Sequence, residues 1–430
     1  MKKYLVSAAF LALSVCSFAQ DVNKMIKADD VDRIIKTLSA DDMQGRATFS
    51  PGIDKAATFI EGEFKAAGLQ PLAGATGFRQ NFSMTRTTPV NPKVVFDGVA
   101  IPEENVSVSA GSSFSWNNDS DVQMITIADM ANFRKEYSAA MRSGKKSLIL
   151  LDTALTSIFK QIHARGIEGR VSAKVNDAPP VVFVLASTSP KSFQVSCEVR
   201  SQELPLFNVA GMIPGKTKPD EYVVFSGHYD HLGIVKPVEG DSIANGADDD
   251  ASGTTAVISL AKYYKKLNNN ARTLIFVAFT AEEIGGYGSQ YFSKQLDPDK
   301  VVAMFNIEMI GKDSKFGDNS AFITGYERSD FGKILQKNLE GTAFKFYPDP
   351  YPAQNLFYRS DNATLARLGV PAHTISTDQI DVDKHYHHVT DEYSTLDVKN
   401  IIATIRAIAL SSRTIVSGED TPTRVGKLER

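Results

Sequence analysis

Six of the seven histidines lie beyond position 227, and the residues able to do chemistry gather there in short clusters. The first is Ser226-Gly227-His228-Tyr229-Asp230-His231, directly after an apolar run. A neutral imidazole is a good zinc ligand, and a carboxylate two residues on can hold its other ring nitrogen and so fix the tautomer. Taken alone, a His beside an Asp is more often a loop or packing residue, so this cluster needs partners. The second, Asn245-Gly246-Ala247-Asp248-Asp249-Asp250-Ala251-Ser252-Gly253, opens a helix. Asp and Ser cap helices well and acidic groups suit the positive end of the helix dipole, which accounts for one or two of these carboxylates. Successive Asp residues facing a site that also holds His228 repel one another unless a cation neutralises part of their charge, and a metal-bridging Asp would do so.

Thr280-Ala281-Glu282-Glu283-Ile284-Gly285-Gly286 follows another apolar run. Adjacent carboxylates at a strand end point in different directions, so one can bind a metal while its neighbour serves a water as general base. The alternative is a solvated acidic loop; the glycines, which permit a tight turn beside a ligand, favour the functional reading. Asn306-Ile307-Glu308-Met309-Ile310 sets a carboxylate at the end of an apolar strand, either in solvent at the rim or paired with a cation, because burying it alone is very costly. His385-Tyr386-His387-His388-Val389-Thr390-Asp391 supplies three imidazoles in four residues. It is a polar loop, a functionless metal-binding tract, or the source of a ligand that only folding can bring to the other clusters.

The elements that must position these residues form an alternating series. Strands are expected over Tyr222 to Ser226, Thr273 to Phe279, Val301 to Ile307, Ala321 to Thr324 and Pro371 to Ser376. Helices are expected over Ser252 to Leu267, Tyr287 to Leu296, near Phe331 to Leu339, and from Asp397 to about Ser411. This alternation predicts an α/β fold with a mixed, largely parallel sheet flanked by helices on both faces, a geometry in which ligands bind at the carboxyl ends of strands. Helical spacing also covers Asp30 to Leu38 and Ile53 to Ala67, with Gly68 as the stop. From about 90 to 200 the pattern changes to short β-branched runs, Gln123 to Ile127, Ser147 to Leu151 and Pro180 to Leu185, separated by polar turns; this reads as a smaller β-rich inserted domain. The expected organisation is a signal peptide over 1–20, an N-terminal helical part over 21–90, an inserted accessory domain over 91–200 and a catalytic domain over 201–430.

Composition narrows the function classes. The 430 residues are 43% hydrophobic and 23% charged, enough for one large core and a second, smaller one. A net charge of −3 with mixed signs supplies no basic patch, so nucleic acid is not an expected partner. Lys2 and Lys3, the apolar stretch 4–15 and Ser17-Phe18-Ala19 have the pattern of an export signal, with the mature chain starting near Gln20 or Asp21 in the periplasm or outside the cell. No later stretch reaches the roughly 18–20 apolar residues of a membrane helix, so no transmembrane anchor is expected. Cys16 stands where a lipidated cysteine would, but Val15 before it is not the small residue wanted there. With Cys16 removed, Cys197 has no partner for an internal disulfide.

The pieces SGHYDHLG, NGADDDASG, AEEIGGYGS, NIEMIGK and HYHHVTDEYSTLD, in this order, resemble the co-catalytic zinc exopeptidases that include bacterial leucyl aminopeptidases, glutamate carboxypeptidases and, more distantly, glutaminyl cyclases. The resemblance covers roughly 204 to 412; MQGRATFSPG near the start is also similar, whereas the middle region matches poorly and would be a variant of that family's PA-like inserted domain. It implies that His228 binds one zinc with Asp230 orienting it, that Asp249 bridges both ions, that Glu283 is a ligand and that Glu282 is the general base. Glu308 would be a ligand where many members have Asp, and His387 another, because the family's ligand lies four residues before an Asp, here Asp391; His388 is the second choice. Five ligands, one of them shared, give each metal three protein contacts and leave a position for water. Phe357-Tyr358-Arg359-Ser360-Asp361-Asn362 is similar to a segment near the substrate; Tyr358 would donate to the oxyanion, although alignment on Ser360 sets Phe357 at the family's tyrosine. The implied activity is exopeptidase hydrolysis of peptide substrates through a water bridged by two zinc ions, as an aminopeptidase. The alternatives are a carboxypeptidase for acidic C-termini and a single-zinc acyltransferase like glutaminyl cyclase.

Overall fold

The structure, a computed structural model, describes residues 22–118, 120–174 and 178–428; the expected export signal, with Cys16, lies outside them. The chain forms two units, one comprising the residues up to Phe82 together with those from Leu206 onward, the other Ser83–Pro205.

In the first unit the strand Lys218–His228 runs parallel to both Arg272–Phe279 and Val301–Ile307, and Val301–Ile307 runs parallel to Ala372–Ser376. Ser320–Ile323 lies antiparallel to Ala372–Ser376 and carries Lys345–Pro348 in parallel at its far side. At the other side Arg272–Phe279 meets residues 209–213 in antiparallel register. The expected α/β class with a mostly parallel sheet is therefore the one observed.

The apolar runs of these strands are continuous because both faces are covered. Along Arg272–Phe279, Leu274, Phe276 and Ala278 join one core, while Ile275, Val277 and Phe279 join the core on the opposite face. The first core takes in the helices Ala28–Leu38, Pro51–Ala67, Gly253–Leu267 and Val398–Ser411; Phe292 of the helix Tyr287–Lys294 belongs to the second. Pro51 opens its helix at the position where a missing N–H costs nothing, and Gly68 closes it at φ 79°, a left-handed conformation that glycine adopts without strain. Asp397 caps Val398–Ser411 by accepting from the backbone N–H groups of Lys399 and Asn400.

The second unit contains a four-stranded sheet in the order Val106–Ser109, Val181–Leu185, Ser147–Leu151, Gln123–Ile127, the last three mutually parallel. Two of the polar stretches expected as turns are helices, Met130–Arg142 and Thr156–Glu168. Each buries one narrow stripe against the sheet, through Ala140 and Phe159 respectively, and the rest of each surface is polar, so the apolar periodicity is faint. Among the described residues no helix is long and apolar enough to cross a membrane.

Candidate metal centre

In parallel register His228 stands beside Phe279, and Ser226 beside Asn306. Three neighbouring strands therefore end together, and their last residues and the loops that follow set His228, the Glu282-Glu283 pair and Glu308 at one side of the sheet. Three buried side chains hold those loops through their backbones. Asp250 accepts from the N–H of His228 at 3.1 Å, Gly253 at 2.9 Å and Met309 at 3.1 Å, tying two strand ends to the helix that begins at Gly253. The Asp230 carboxylate accepts from the N–H groups of Glu282 at 3.1 Å and Glu283 at 3.3 Å, and from the Thr48 hydroxyl at 3.0 Å. Burial, only partly offset by His228, raises this carboxyl to about 6.

The third of these side chains is Arg46, which is fully buried. Its guanidinium donates to the carbonyls of Leu38 at 2.7 Å, Tyr229 at 2.8 Å, Asn245 at 2.5 Å and Gly246 at 2.9 Å. The loop over Asp41–Arg46 can come this close because Gly45, at φ 61°, has no Cβ, which would stand 2.4 Å from the Ala244 carbonyl oxygen. Arg46→Met would leave four carbonyls without this donor, each buried unpaired group costing about 1–3 kcal/mol, so a loss of roughly 3 kcal/mol or more is expected. Denaturant titration of the zinc-free chain measures it, and an unchanged midpoint would contradict this account of Arg46.

The Asp run is not the first turn of a helix. Asp249 and Asp250 have non-helical backbone angles, and the regular helix starts only at Gly253. Asp248 accepts from the N–H of Gly311 at 2.6 Å and from Ser252 at 3.2 Å, and Asp391 accepts from the N–H groups of Asp248 and Asp249 at 3.0 Å. The neighbours of Asp249 are committed to backbone donors, and although Asp250 also has an oxygen within 4.8 Å of the His228 ring, Asp249 is the one of the three whose carboxylate pairs closely with imidazoles. Its Oδ1 lies 3.1 Å from His228 Nε2 and its Oδ2 3.2 Å from His387 Nε2.

Two donor groups share Asp249. In one, His228 Nε2 is also 3.1 Å from Glu308 Oε1; in the other, His387 Nε2 is also 3.2 Å from Glu283 Oε2. Donor atoms bound tetrahedrally at 2.0–2.1 Å to one zinc ion would stand about 3.3 Å apart, so the spacing, together with the mixture of imidazole and carboxylate, fits zinc in each group. The charges fit too. Burial alone would push His228 down, yet the Glu308 and Asp249 carboxylates hold it well above the ordinary imidazole range. Contacts with Asp249 and Glu283 raise His387 to about 10. Asp249, despite burial, is kept well below the usual carboxylate range by His231, His228 and His387. Positive charge is what this set of carboxylates calls for, and a divalent cation supplies it as a proton does.

His228 Nδ1 is 3.0 Å from the Asp230 carbonyl oxygen and 3.8 Å from its carboxylate, so the backbone carbonyl is the nearer group fixing the ring, while the carboxylate is engaged with the Glu282 loop. Of the three late imidazoles, His385 and His388 both turn to the Thr390 hydroxyl, at 2.9 and 3.0 Å, and His387 alone faces the carboxylates. Glu282 lines the adjoining cleft of about 350 Å³, together with Glu283, Glu308, Tyr386, His387 and an apolar wall of Met309, Phe322, Leu356 and Ile380. Burial raises the Glu282 carboxyl well above its ordinary range; His228 opposes this, and Glu308, Asp361 and Glu283 reinforce it.

Tyr358 does not line this cleft among the described residues. Its ring packs on Phe357 at 4.7 Å, with the Arg328 and Arg367 guanidiniums 5.4 and 5.3 Å from its centroid. Phe357 is buried beneath Gly325 and is no candidate either, having no donor. The phenol in the cleft is Tyr386, stacked on His387 at 3.9 Å and pushed above the usual phenol range first by burial and then by Asp249 and Glu308. Sequence reasoning also passes over Arg46 and His231; the second stands in plain view three residues after His228, but nothing in its type distinguishes a ligand from a support.

Residues 208–411 match the profile of peptidase family M28. A probable zinc metalloprotease of Leptosphaeria maculans is 31% identical over 36% of this chain and 32% of its own length. Leucine aminopeptidase 1 of Ajellomyces capsulatus strain H88 is 27% identical over 46% of this chain and 52% of its own. The chain thus spans about a third to a half of the length of these curated relatives. Among solved structures, an aminopeptidase from Aneurinibacillus sp. strain AM-1 superposes with a TM-score of 0.54 at 18% identity, covering 96% of this chain and 97% of that one. A zinc aminopeptidase from Bacillus subtilis gives 0.55 at 16%, covering 94% and 99%; both likenesses concern the fold. The five residues of the paired donor groups, His228, Asp249, Glu283, Glu308 and His387, all fall within the segment that matches this family's profile.

Proposed function

We propose that this chain is a zinc-dependent exopeptidase, acting as an aminopeptidase, with two ions held by His228, Asp249 and Glu308 and by His387, Asp249 and Glu283. The observation that carries the reading is the division of the Asp249 carboxylate, one oxygen toward each imidazole. When bound, the two ions would supply the Lewis acidity that lowers the pKa of a water from near 16 toward about 7. Glu282 takes a proton from that water and passes one to the leaving amine, and Asp230 holds the Glu282 and Glu283 backbones in place for this. Tyr386, rather than Tyr358, is the phenol positioned to donate to the developing oxyanion. The acidic end of the cleft suits a free amino group, and its apolar wall suits an uncharged side chain beside the scissile bond.

Two complete donor groups favour this reading over a single-zinc acyltransferase. A carboxypeptidase remains the second reading because Arg359 lines the cleft and could pair with a terminal carboxylate. Export through residues 1–20 belongs to the proposal, as does an accessory role for the inserted unit. Aminoacyl fluorogenic substrates and end-blocked peptides, assayed with the zinc-loaded mature chain, separate the possibilities. Cleavage should require a free amino terminus, tolerate a blocked carboxyl terminus, and stop with a chelator. Cleavage of N-acetylated peptides only when the carboxyl terminus is free would replace the aminopeptidase reading with the carboxypeptidase one.

A further inference from the structure

His231 is buried just beyond the strand that ends at His228, yet it stands outside the two donor groups of the proposed function. Its Nδ1 lies 2.7 Å from Glu283 Oε1, whereas Asp249 Oδ2 is 3.8 Å away. A carboxylate only accepts, so the proton of this contact sits on Nδ1 and is donated to Glu283. Nε2 is buried and meets no hydrogen-bond partner among the described residues, so the ring's hydrogen bonding goes to Glu283, while its edge meets the His387 ring at 6.0 Å between centroids.

The ring is locked in that direction by packing. Its Cγ and Cδ2 lie so close to Gly246 that a Cβ there would stand 2.5 Å from both, and its backbone N–H donates to the Arg46 carbonyl at 3.3 Å. Glu283 is therefore divided: Oε1 is engaged by His231, and Oε2 faces His387 at 3.2 Å. A carboxylate free to rotate can offer either oxygen, or both, to an ion; one with an oxygen held by a fixed N–H offers the other in a set orientation.

We infer that His231 is a positioning residue for one metal site: by holding Glu283 Oε1 it presents Oε2 as a single-oxygen ligand beside His387, and so sets the zinc affinity of the His387–Glu283 site far more than that of the His228–Glu308 site. The inference rests on the two-ion reading above. No contact links His231 to Glu308 among the described residues, and its distance to the shared Asp249 is too long for a hydrogen bond. His231 reaches the shared Asp249 only through charge at 3.8 Å, so the larger effect falls on the ion beside Glu283.

The test compares full-length wild type with His231→Ala, His231→Asn and His231→Gln. Zinc content and stepwise dissociation constants are measured by competition with a chromogenic chelator at fixed pH, and melting temperatures on the zinc-free proteins. An Asn side chain can set its amide N–H where Nδ1 was; a Gln amide reaches toward the place of Nε2 instead. His231→Ala should bind one zinc within a few-fold of wild type and the other about 10–100-fold more weakly, the range for losing a partner behind a ligand. His231→Asn should restore the weakened site, and His231→Gln should not. Wild-type affinity at both sites in His231→Ala would overturn the inference. So would equal weakening of both sites accompanied by a lower zinc-free melting temperature in all three variants, which is the signature of a packing role. If wild type itself binds fewer than two ions, the two-ion reading falls, and that result is visible before any variant is compared.

Discussion

Glu282→Gln is expected to keep the wild-type zinc content and lose about 10²–10⁴-fold in kcat, the range contributed by a positioned general base. The two neighbouring glutamates have different surroundings despite sharing a loop. Glu283 is committed through both oxygens, to His231 at 2.7 Å and His387 at 3.2 Å, and these contacts, against burial, hold its carboxyl below the ordinary value. Glu282 lines the cleft, and burial, reinforced by Glu308 and Asp361, pushes its carboxyl up. A depressed carboxyl suits a ligand and a raised one suits a group that must accept and return a proton near neutral pH. The amide of Gln preserves shape but cannot accept a proton, so binding should survive where turnover does not. Glu283→Gln is the control: it should lower zinc content as well as rate. Full activity in Glu282→Gln, or loss of zinc from it, would remove Glu282 from the role of base.

The contrast between those glutamates indicates what a linear reading can and cannot reach. The sheet is legible because strands buried on both faces must be apolar throughout, as Arg272–Phe279 is over most of its length. The clusters stand out because polar residues follow such runs at the end where ligands bind. Which side chain in a cluster faces inward is another matter. His385, His387 and His388 differ by what lies opposite them, and Thr390 against the Asp249-Glu283 pair is a distinction made only by folding. The Asp run reads partly as a helix cap, whereas its outer members tie down Gly311, His228, Gly253 and Met309. Tyr358 has its place in a motif, and the cleft instead contains Tyr386, whose neighbour in sequence is the imidazole it stacks on. Arg46 lies nearly two hundred residues from Asn245 and Gly246, and no local pattern announces four carbonyl acceptors.

Asp249→Asn is expected to weaken zinc binding at both sites together, and this joint loss distinguishes it from a substitution at Glu283 or Glu308. Removing Glu308 or Glu283 takes one oxygen from one group; Asp249 gives an oxygen to each. An Asn side chain has the same size but presents one weak neutral oxygen and an N–H₂ that cannot ligate, so one site loses its donor and the other keeps only a poor one. Loss of a partner behind a ligand already costs about 10–100-fold in affinity, and loss of the shared ligand itself should exceed that at each site. The consequence extends to stability, because an ion that binds the folded chain alone stabilises it: at a free concentration a hundred times its dissociation constant the gain is about 2.7 kcal/mol for one site. Wild type should therefore melt at a higher temperature with zinc than after chelation, and Asp249→Asn should show little of that difference while its zinc-free form remains folded. Elemental analysis and paired melting curves provide the check. A variant that still takes up two ions, or that loses one and keeps the other at wild-type affinity, would show that the carboxylate is not shared, and the cleft would then have to work with a single metal or with none.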